Sequence, residues 1–166
     1  MNKAEEITGI SLSQWEVIQP DDPSQYFEGD AVIEAYFKGK ADGISQTEKL
    51  SLKQFSDNFN FAKENIIRVL NELEKNEFDP LAAYLKVKSV FSFKVIIVVK
   101  EEDFIKQSFL SNYEFLTNFE QEIQTDFFTL KFSFLDGIPD DLDEALMSDG
   151  YQIKFSPIDE ASTRQA

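Results

Sequence analysis

The sequence contains neither cysteine nor histidine. Without cysteine there is no disulfide and no thiol nucleophile, and without either residue there is no Cys/His zinc site or iron–sulfur site. The usual activation of a serine nucleophile by an imidazole is also excluded, and no Ser-x-x-Lys or Gly-x-Ser-x-Gly motif is present. Because no glycine-rich phosphate loop is present either, we expect no cofactor and favour a role without catalysis.

Long apolar segments are also missing. The longest uncharged apolar run is Val95 to Val99, far short of the roughly 20 residues that cross a bilayer as a helix. The amino terminus has no basic segment followed by an apolar one, the pattern of a secretory leader. We therefore expect a cytoplasmic protein that does not associate with membranes.

Positive charge is scarce, because 16 Lys and Arg stand against 31 Asp and Glu, for a net charge of -15. A field of this sign repels phosphate backbones, which disfavours nucleic acid as a partner. The excess of carboxylates either serves solubility or forms an acidic face for a protein with a basic surface. The sequence does not fix the oligomeric state.

Residues 81–100 depart from this balance, with four lysines and no acidic residue. The lysines alternate with the aromatic residues Tyr84, Phe91 and Phe93, a pattern found in surfaces that bind single-stranded nucleic acid. We favour the other interpretation, in which the aromatic side chains are in the core and the lysines protect a sheet edge. The four lysines are Lys86, Lys88, Lys94 and Lys100.

The strongest helical pattern lies between Leu52 and Leu73, where apolar residues recur every three or four positions. Ser51, with Gln54 three residues later, has the pattern of a capping box. The segment is either one helix to about Lys75 or two helices broken near Asp57. A short helix from Asp30 to Gly39 and a loop over 40–47 precede it.

Three strands are predicted in the second half of the chain. The run from Phe93 to Val99 is rich in β-branched residues without polar alternation, which indicates a strand covered on both faces. Residues 127–135 and 151–155 alternate as further strands. Helical spacing between the first two strands includes Ile105, Phe109 and either Tyr113 or Leu110, and Pro139 begins a helix before the third strand.

These patterns predict an α+β fold, possibly a two-layer α/β sandwich, in a single domain over 1–166. The order β-α-β-α-β over 93–155 favours a ferredoxin-like or related small sheet. A helix-rich part covers about 20–90, and a polar tail covers 157–166. Residues 81–87 fit a strand or a helix, and it stays open whether residues 1–50 share the core. We expect Trp15, in a strand-like stretch over 10–18, to cover one edge of the core.

Acidic residues follow the first two of these strands. If the strands are parallel, their carboxyl ends meet at one edge of the sheet, where α/β proteins bind ligands. Carboxylates gathered there would suit a hard cation such as Mg²⁺, although acidic side chains at helix starts are also stabilised by the helix dipole alone, by about 0.3–1 kcal/mol. No EF-hand spacing fits. The candidate metal ligands are Glu101, Glu102, Asp103, Asp136, Asp140 and Asp141.

Residues 51–78 resemble the helix-turn-helix segments of winged-helix proteins. In this alignment Asn60 and Phe61 form the turn, because asparagine tolerates the left-handed conformation. The second helix would present Lys63, Asn65 and Arg68 to DNA, and the resemblance implies a transcriptional regulator. Its exposed face also carries glutamates, whereas a groove-reading helix needs an excess of positive charge.

The sequence therefore favours a small non-enzymatic module that binds a basic protein surface, as a regulatory, inhibitor or accessory factor. The first alternative is the helix-turn-helix regulator over 51–78. The second is a divalent-metal-dependent enzyme with its site at the acidic edge of the sheet.

Overall fold

A computed structural model describes residues 15–19, 31–38 and 45–158. The predicted strand residues before Trp15, the helix ends at Asp30 and Gly39 and the tail beyond residue 158 lie outside this part of the chain. The helices are α1 (Ala31–Lys38), α2 (Gln46–Lys75), α3 (Glu101–Phe104), α4 (Ser111–Ile123) and α5 (Pro139–Ser148), with a 3-10 turn at Gln107–Leu110. The strands are β1 (Trp15–Ile18), β2 (Pro80–Val87), β3 (Ser92–Val99), β4 (Thr129–Asp136) and β5 (Ile153–Pro157).

The described strands form one mixed sheet of five strands in the order β1-β5-β2-β3-β4. β3 and β4 are parallel, whereas β2 is antiparallel to both β3 and β5, and β1 is antiparallel to β5. Helices with a mixed sheet confirm the α+β class. The ferredoxin-like order is not confirmed, because the crossover from β3 leads to its direct neighbour β4, whereas that fold splits its β-α-β units with an intervening strand.

The two crossovers run in opposite directions along the sheet. From β3 the chain moves outward to β4, and from β4 it returns past β3 and β2 to β5. Right-handed connections in opposite directions require helices on opposite faces. Accordingly, α4 packs on the face that also carries α1 and α2, which we call face A, and α5 packs on the other, face B.

The main core lies between face A and the long helix α2, whose buried stripe includes Phe55, Phe59, Ile66 and Leu73. Trp15 of β1 and Ile33 of α1 belong to the same core, so residues 15–18 and 31–38 share it, and Trp15 covers its edge as expected. No helix of the described residues is both long enough and apolar enough to span a bilayer.

Strand β3 lies between β2 and β4, and the prediction that it is covered on both faces is confirmed along face A but on face B only at its carboxyl end. Val95, Ile97 and Val99 belong to the core on face A, and Val98 packs with Ala82 against α5 on face B. Face B is covered only in part, because Lys94, nearer the amino end of β3, is exposed. The ambiguous segment at 81–87 is strand β2, paired along its length with β3.

Helix α2 is a single helix of 30 residues, which settles the open alternative of one helix or two. It begins at Gln46 because the Ser45 side chain accepts a hydrogen bond from the Glu48 backbone N–H at 3.2 Å. The predicted start at Ser51 and the loop through residue 47 are therefore wrong at this boundary. Ser45 and Glu48 have the same capping-box spacing as Ser51 and Gln54, and they lie six residues earlier in the chain.

The continuous helix is also incompatible with the predicted helix-turn-helix. Asn60 and Phe61 lie inside α2, where every residue from 46 to 75 is helical, so the predicted turn is wrong. The physical reason is that the apolar stripe passes through this point without interruption: Phe59, Ala62 and Ile66 are all buried against one sheet face.

Asn58 ties the middle of α2 to the end of the sheet. Its side-chain amide donates to the Val90 carbonyl at 2.9 Å and to the Phe127 carbonyl at 2.8 Å. Its oxygen accepts from the Gln54 side chain at 3.0 Å. These bonds connect the β2–β3 turn and the approach to β4 to one buried side chain.

We expect Asn58→Ala to lower the free energy of unfolding by about 1–3 kcal/mol, because it leaves the buried Val90 carbonyl and the part-buried Phe127 carbonyl without their donor. Urea unfolding followed by circular dichroism measures the change. The matched control is Asn60→Ala on the exposed side of the same helix, which we expect to stay within about 0.5 kcal/mol of the parent. Equal stabilities for the two variants would contradict the role of Asn58.

Candidate functional site

The predicted meeting of the two acidic segments is confirmed at the level of the backbone. β3 and β4 are parallel with Val99 opposite Asp136, and the Gly137 N–H donates to the Val99 carbonyl at 3.2 Å. The residues that follow both strands therefore emerge side by side at one edge of the sheet. We call this the acidic edge, and its carboxylates are Glu101, Glu102, Asp103, Asp136, Asp140 and Asp141.

Asp103 differs from the other five because it is buried, with only 5% of its surface exposed. Its carboxylate accepts from the Lys106 ammonium at 2.9 Å and from the Asp79 backbone N–H at 3.3 Å. Burial by itself would raise the pKa of Asp103, but these two hydrogen bonds and the charges of Lys106 and Lys100 lower it below its ordinary value. Asp103 thus fixes α3 to the start of β2.

A second ion pair lies beside the first. Lys100 contacts Asp79 at 3.0 Å, so both lysines next to the edge are already paired within the chain. Burial, followed by the negative charge of Asp79, raises the pKa of Glu74 at the end of α2.

The other five carboxylates of the acidic edge are exposed. Glu101 and Glu102 lie in the first turn of α3, and Asp140 and Asp141 lie in the first turn of α5. Across the described ranges, no three acidic side chains are placed to hold a metal ion together. The predicted ligands therefore meet as a surface and do not converge as a coordination site. The positions of the four carboxylates in these first turns match the dipole explanation.

Apolar side chains are exposed among these carboxylates. Ile105 is 75% exposed and Ile138 is 61% exposed. Lys100, Glu101, Glu102 and Ile105 line a shallow, open depression of about 390 Å³. Together these features describe a surface and not an enclosed pocket.

The helical spacing predicted for this segment is confirmed for Tyr113, which lies in α4, but not for Ile105, which lies between α3 and the 3-10 turn and is exposed. The segment is divided into α3, a 3-10 turn and α4, so the 3.6-residue period is interrupted after Phe104. Phe109, which the same spacing included, lies in the 3-10 turn and is buried in the core, with its ring 4.7 Å from that of Phe134. The sequence signal that could have indicated this break is the position of Ile105 directly after the acidic first turn of α3.

The three residues predicted to contact DNA do not form an exposed face. Asn65 is buried and donates to the Phe61 carbonyl at 2.8 Å. Lys63 is half-buried with its ammonium 4.7 Å from the Phe59 ring centre, and burial lowers its pKa. Only Arg68 is exposed.

A polar cluster that the sequence did not predict lies under α5 on face B. The fully buried Tyr84 donates its hydroxyl hydrogen to Asp143, and Lys154 contacts the same carboxylate at 3.0 Å. The Lys154 ammonium also lies 5.6 Å from the Tyr84 ring centre. Burial, then the hydrogen bond and charge of Asp143, raise the pKa of Tyr84. The cluster attaches α5 to β2 and β5.

Comparison of the chain with protein-family models, with curated proteins and with solved structures gives no match. The site is therefore interpreted from its own geometry.

The pH dependence of stability tests the role of Asp103. A carboxylate whose folded pKa is lowered stabilises the fold above its ordinary pKa of 3.8, and this contribution disappears as pH falls through the folded value. We expect Asp103→Asn to lose about 1.5–3 kcal/mol at pH 7, the range for hydrogen bonds to a charged group, and the gap to the parent to close below pH 3.8. Urea unfolding between pH 7 and pH 2.5 measures it. Asp141→Asn is the exposed control, and a gap that does not depend on pH would contradict the assignment.

The contribution of Tyr84 to stability has the opposite dependence on pH. A hydroxyl with a raised folded pKa contributes stability that is complete below its ordinary value of 10.0 and is lost as pH rises above that value. We expect the parent to lose stability between pH 9.5 and pH 11 more steeply than Tyr84→Phe, whereas at pH 7 the variant is the less stable of the two. Thermal unfolding across this range measures both effects. Parallel curves for the two proteins would contradict the role of the hydroxyl.

Proposed function

We propose that the protein is a non-enzymatic binding module whose acidic edge docks a protein with a basic surface. The observation that carries the proposal is the exposure of Ile105 and Ile138 among five exposed carboxylates. A regulatory, inhibitor or accessory role is consistent with this chemistry.

The charges at the edge support a cationic partner. Lys100 and Lys106, the lysines next to the edge, are already paired with Asp79 and Asp103. Because these lysines are paired with Asp79 and Asp103, they leave the charges of Glu101, Glu102 and Asp140 uncompensated at the surface. Such a field attracts a basic partner and raises the rate of encounter, most strongly at low salt.

The exposed apolar side chains supply binding affinity that charge alone does not. Interfaces derive most of their affinity from a few desolvated anchors, with charged residues around them. Ile105 and Ile138 project from the segments that follow two adjacent strands, so they are on the same edge of the sheet as the carboxylates. A partner that presents lysine or arginine around a small apolar depression would match both features.

The test is partner capture with charge-matched variants. Glu101→Lys/Asp140→Lys reverses two charges at the acidic edge, and Glu64→Lys/Glu122→Lys reverses two exposed charges on α2 and α4. We expect the parent and the second variant to retain a basic protein from cell extract that the first does not retain. Titration of that purified protein should show a Kd at least about tenfold weaker for the edge variant, which is about 1.4 kcal/mol.

Salt and the apolar anchors provide further checks. Retention should fall as ionic strength rises, because screening shortens to about 3 Å at 1 M. Ile105→Ser should weaken binding without changing its dependence on salt. Identical partners for both charge-reversal variants would overturn the proposal.

A further inference from the structure

β4 is the last strand of the sheet, and within the described ranges it pairs only with β3. The Thr129 N–H donates inward to the Phe91 carbonyl at 2.7 Å, and the Gly137 N–H donates inward to Val99. Because residues alternate along a strand, the backbone groups of Leu130, Phe132 and Phe134 point away from the sheet. These groups can accept an additional strand.

One side chain of the protein already contacts this edge. The Glu120 carboxylate of α4 accepts a hydrogen bond from the Phe132 N–H at 3.0 Å. The same carboxylate lies 3.6 Å from the Lys131 ammonium. The Glu120 carboxylate therefore contacts a backbone N–H and a lysine side chain in the middle of β4 at the same time.

Lysines are aligned in a row across face B. Lys86 lies directly opposite Lys94 in the β2–β3 ladder, and Lys94 lies directly opposite Lys131 in the β3–β4 ladder. Neighbouring strands are about 4.8 Å apart, and like charges directly opposite each other are destabilising. Among the described residues neither Lys86 nor Lys94 forms an ion pair. An acid placed in the next strand position beyond Lys131 would reduce this repulsion.

The face A side of the same edge is apolar. Phe132 and Phe134 are half-buried. The ring of Phe119 lies 6.2 Å from that of Phe132, and the ring of Tyr113 lies 5.3 Å from that of Phe134. A strand added beside β4 would place alternate side chains on this aromatic surface and the others beside the lysine row.

We propose that β4 is the acceptor for an extended segment of a partner protein in which apolar and acidic residues alternate. The segment adds to the sheet as a strand, with its apolar side chains over Phe132 and Phe134 and its acidic side chains beside Lys131. Glu120 occupies this position in the free protein and is displaced on binding. The surface is separate from the acidic edge, and its partner carries the opposite charge.

The test uses a fluorescein-labelled peptide of four Val-Glu repeats and its Val-Lys counterpart, measured by fluorescence anisotropy at 0.15 M salt. The net charge of -15 favours the Val-Lys peptide, so a preference for Val-Glu requires the local lysine row to outweigh the overall field. We expect Val-Glu to bind at least tenfold more tightly. N-methylation of alternate peptide nitrogens should abolish binding, because it removes the backbone donors.

Variants of the chain separate the contributions. Lys131→Glu should weaken binding of the Val-Glu peptide at least tenfold, and Glu120→Ala should strengthen it because the internal competitor is gone. Lys75→Glu, an exposed change of the same charge at the end of α2, is the control and should bind as the parent does. Circular dichroism verifies the fold of each variant, and hydrogen exchange of the Leu130 and Phe134 amides in the unaltered protein should slow when the peptide is added.

Four results would overturn the proposal. They are equal binding of the two peptides, binding that survives Lys131→Glu, no binding to Glu120→Ala at 1 mM peptide, and sedimentation showing that Glu120→Ala forms a dimer without binding peptide. The last would assign the edge to a second copy of the chain. Because the basic partner of the acidic edge depends on Glu101 and Asp140, each proposal can fail without the other.

Discussion

The burial of β3, along face A and at its carboxyl end on face B, is the constraint on which the rest of the structure depends. A strand of this composition needs a helical layer on each side, and this chain provides the layers by reversing the direction of its crossovers between β4 and β5. The reversal brings the acidic segments after β3 and β4 together, and it also leaves β4 at the end of the sheet. Both candidate binding surfaces therefore result from the packing of one strand.

The charged side chains divide into those that form ion pairs within the fold and those that remain at the surface. Lys106 and Lys154 each satisfy a carboxylate that attaches a helix to the sheet, at Asp103 and Asp143. The cost of desolvating these groups is offset by a further hydrogen bond to each carboxylate, from the Asp79 backbone N–H to Asp103 and from the Tyr84 hydroxyl to Asp143. Five carboxylates that take no part in these pairs are exposed at the acidic edge.

The predictable part of the fold is the part with local signals. The β-branched run of β3 and the apolar stripe of α2 identified a buried strand and a long helix, because burial on a face repeats at a fixed period. The strand order and the true start of α2 were not predictable in the same way. Strand order depends on contacts between distant segments, and two equivalent capping patterns at Ser45 and Ser51 compete for one helix start.

The candidate sites show the same division between local and non-local information. Periodicity assigned Ile105 to the core because it cannot detect the break after Phe104 that turns the side chain outward. The row formed by Lys86, Lys94 and Lys131 is invisible in the sequence, since its members are 8 and 37 positions apart and meet only through strand register. Glu120 belongs to α4 and yet completes the edge of β4. A fold that blocks an edge with a displaceable carboxylate, and not with a proline or a bulge, retains the backbone groups that another strand needs.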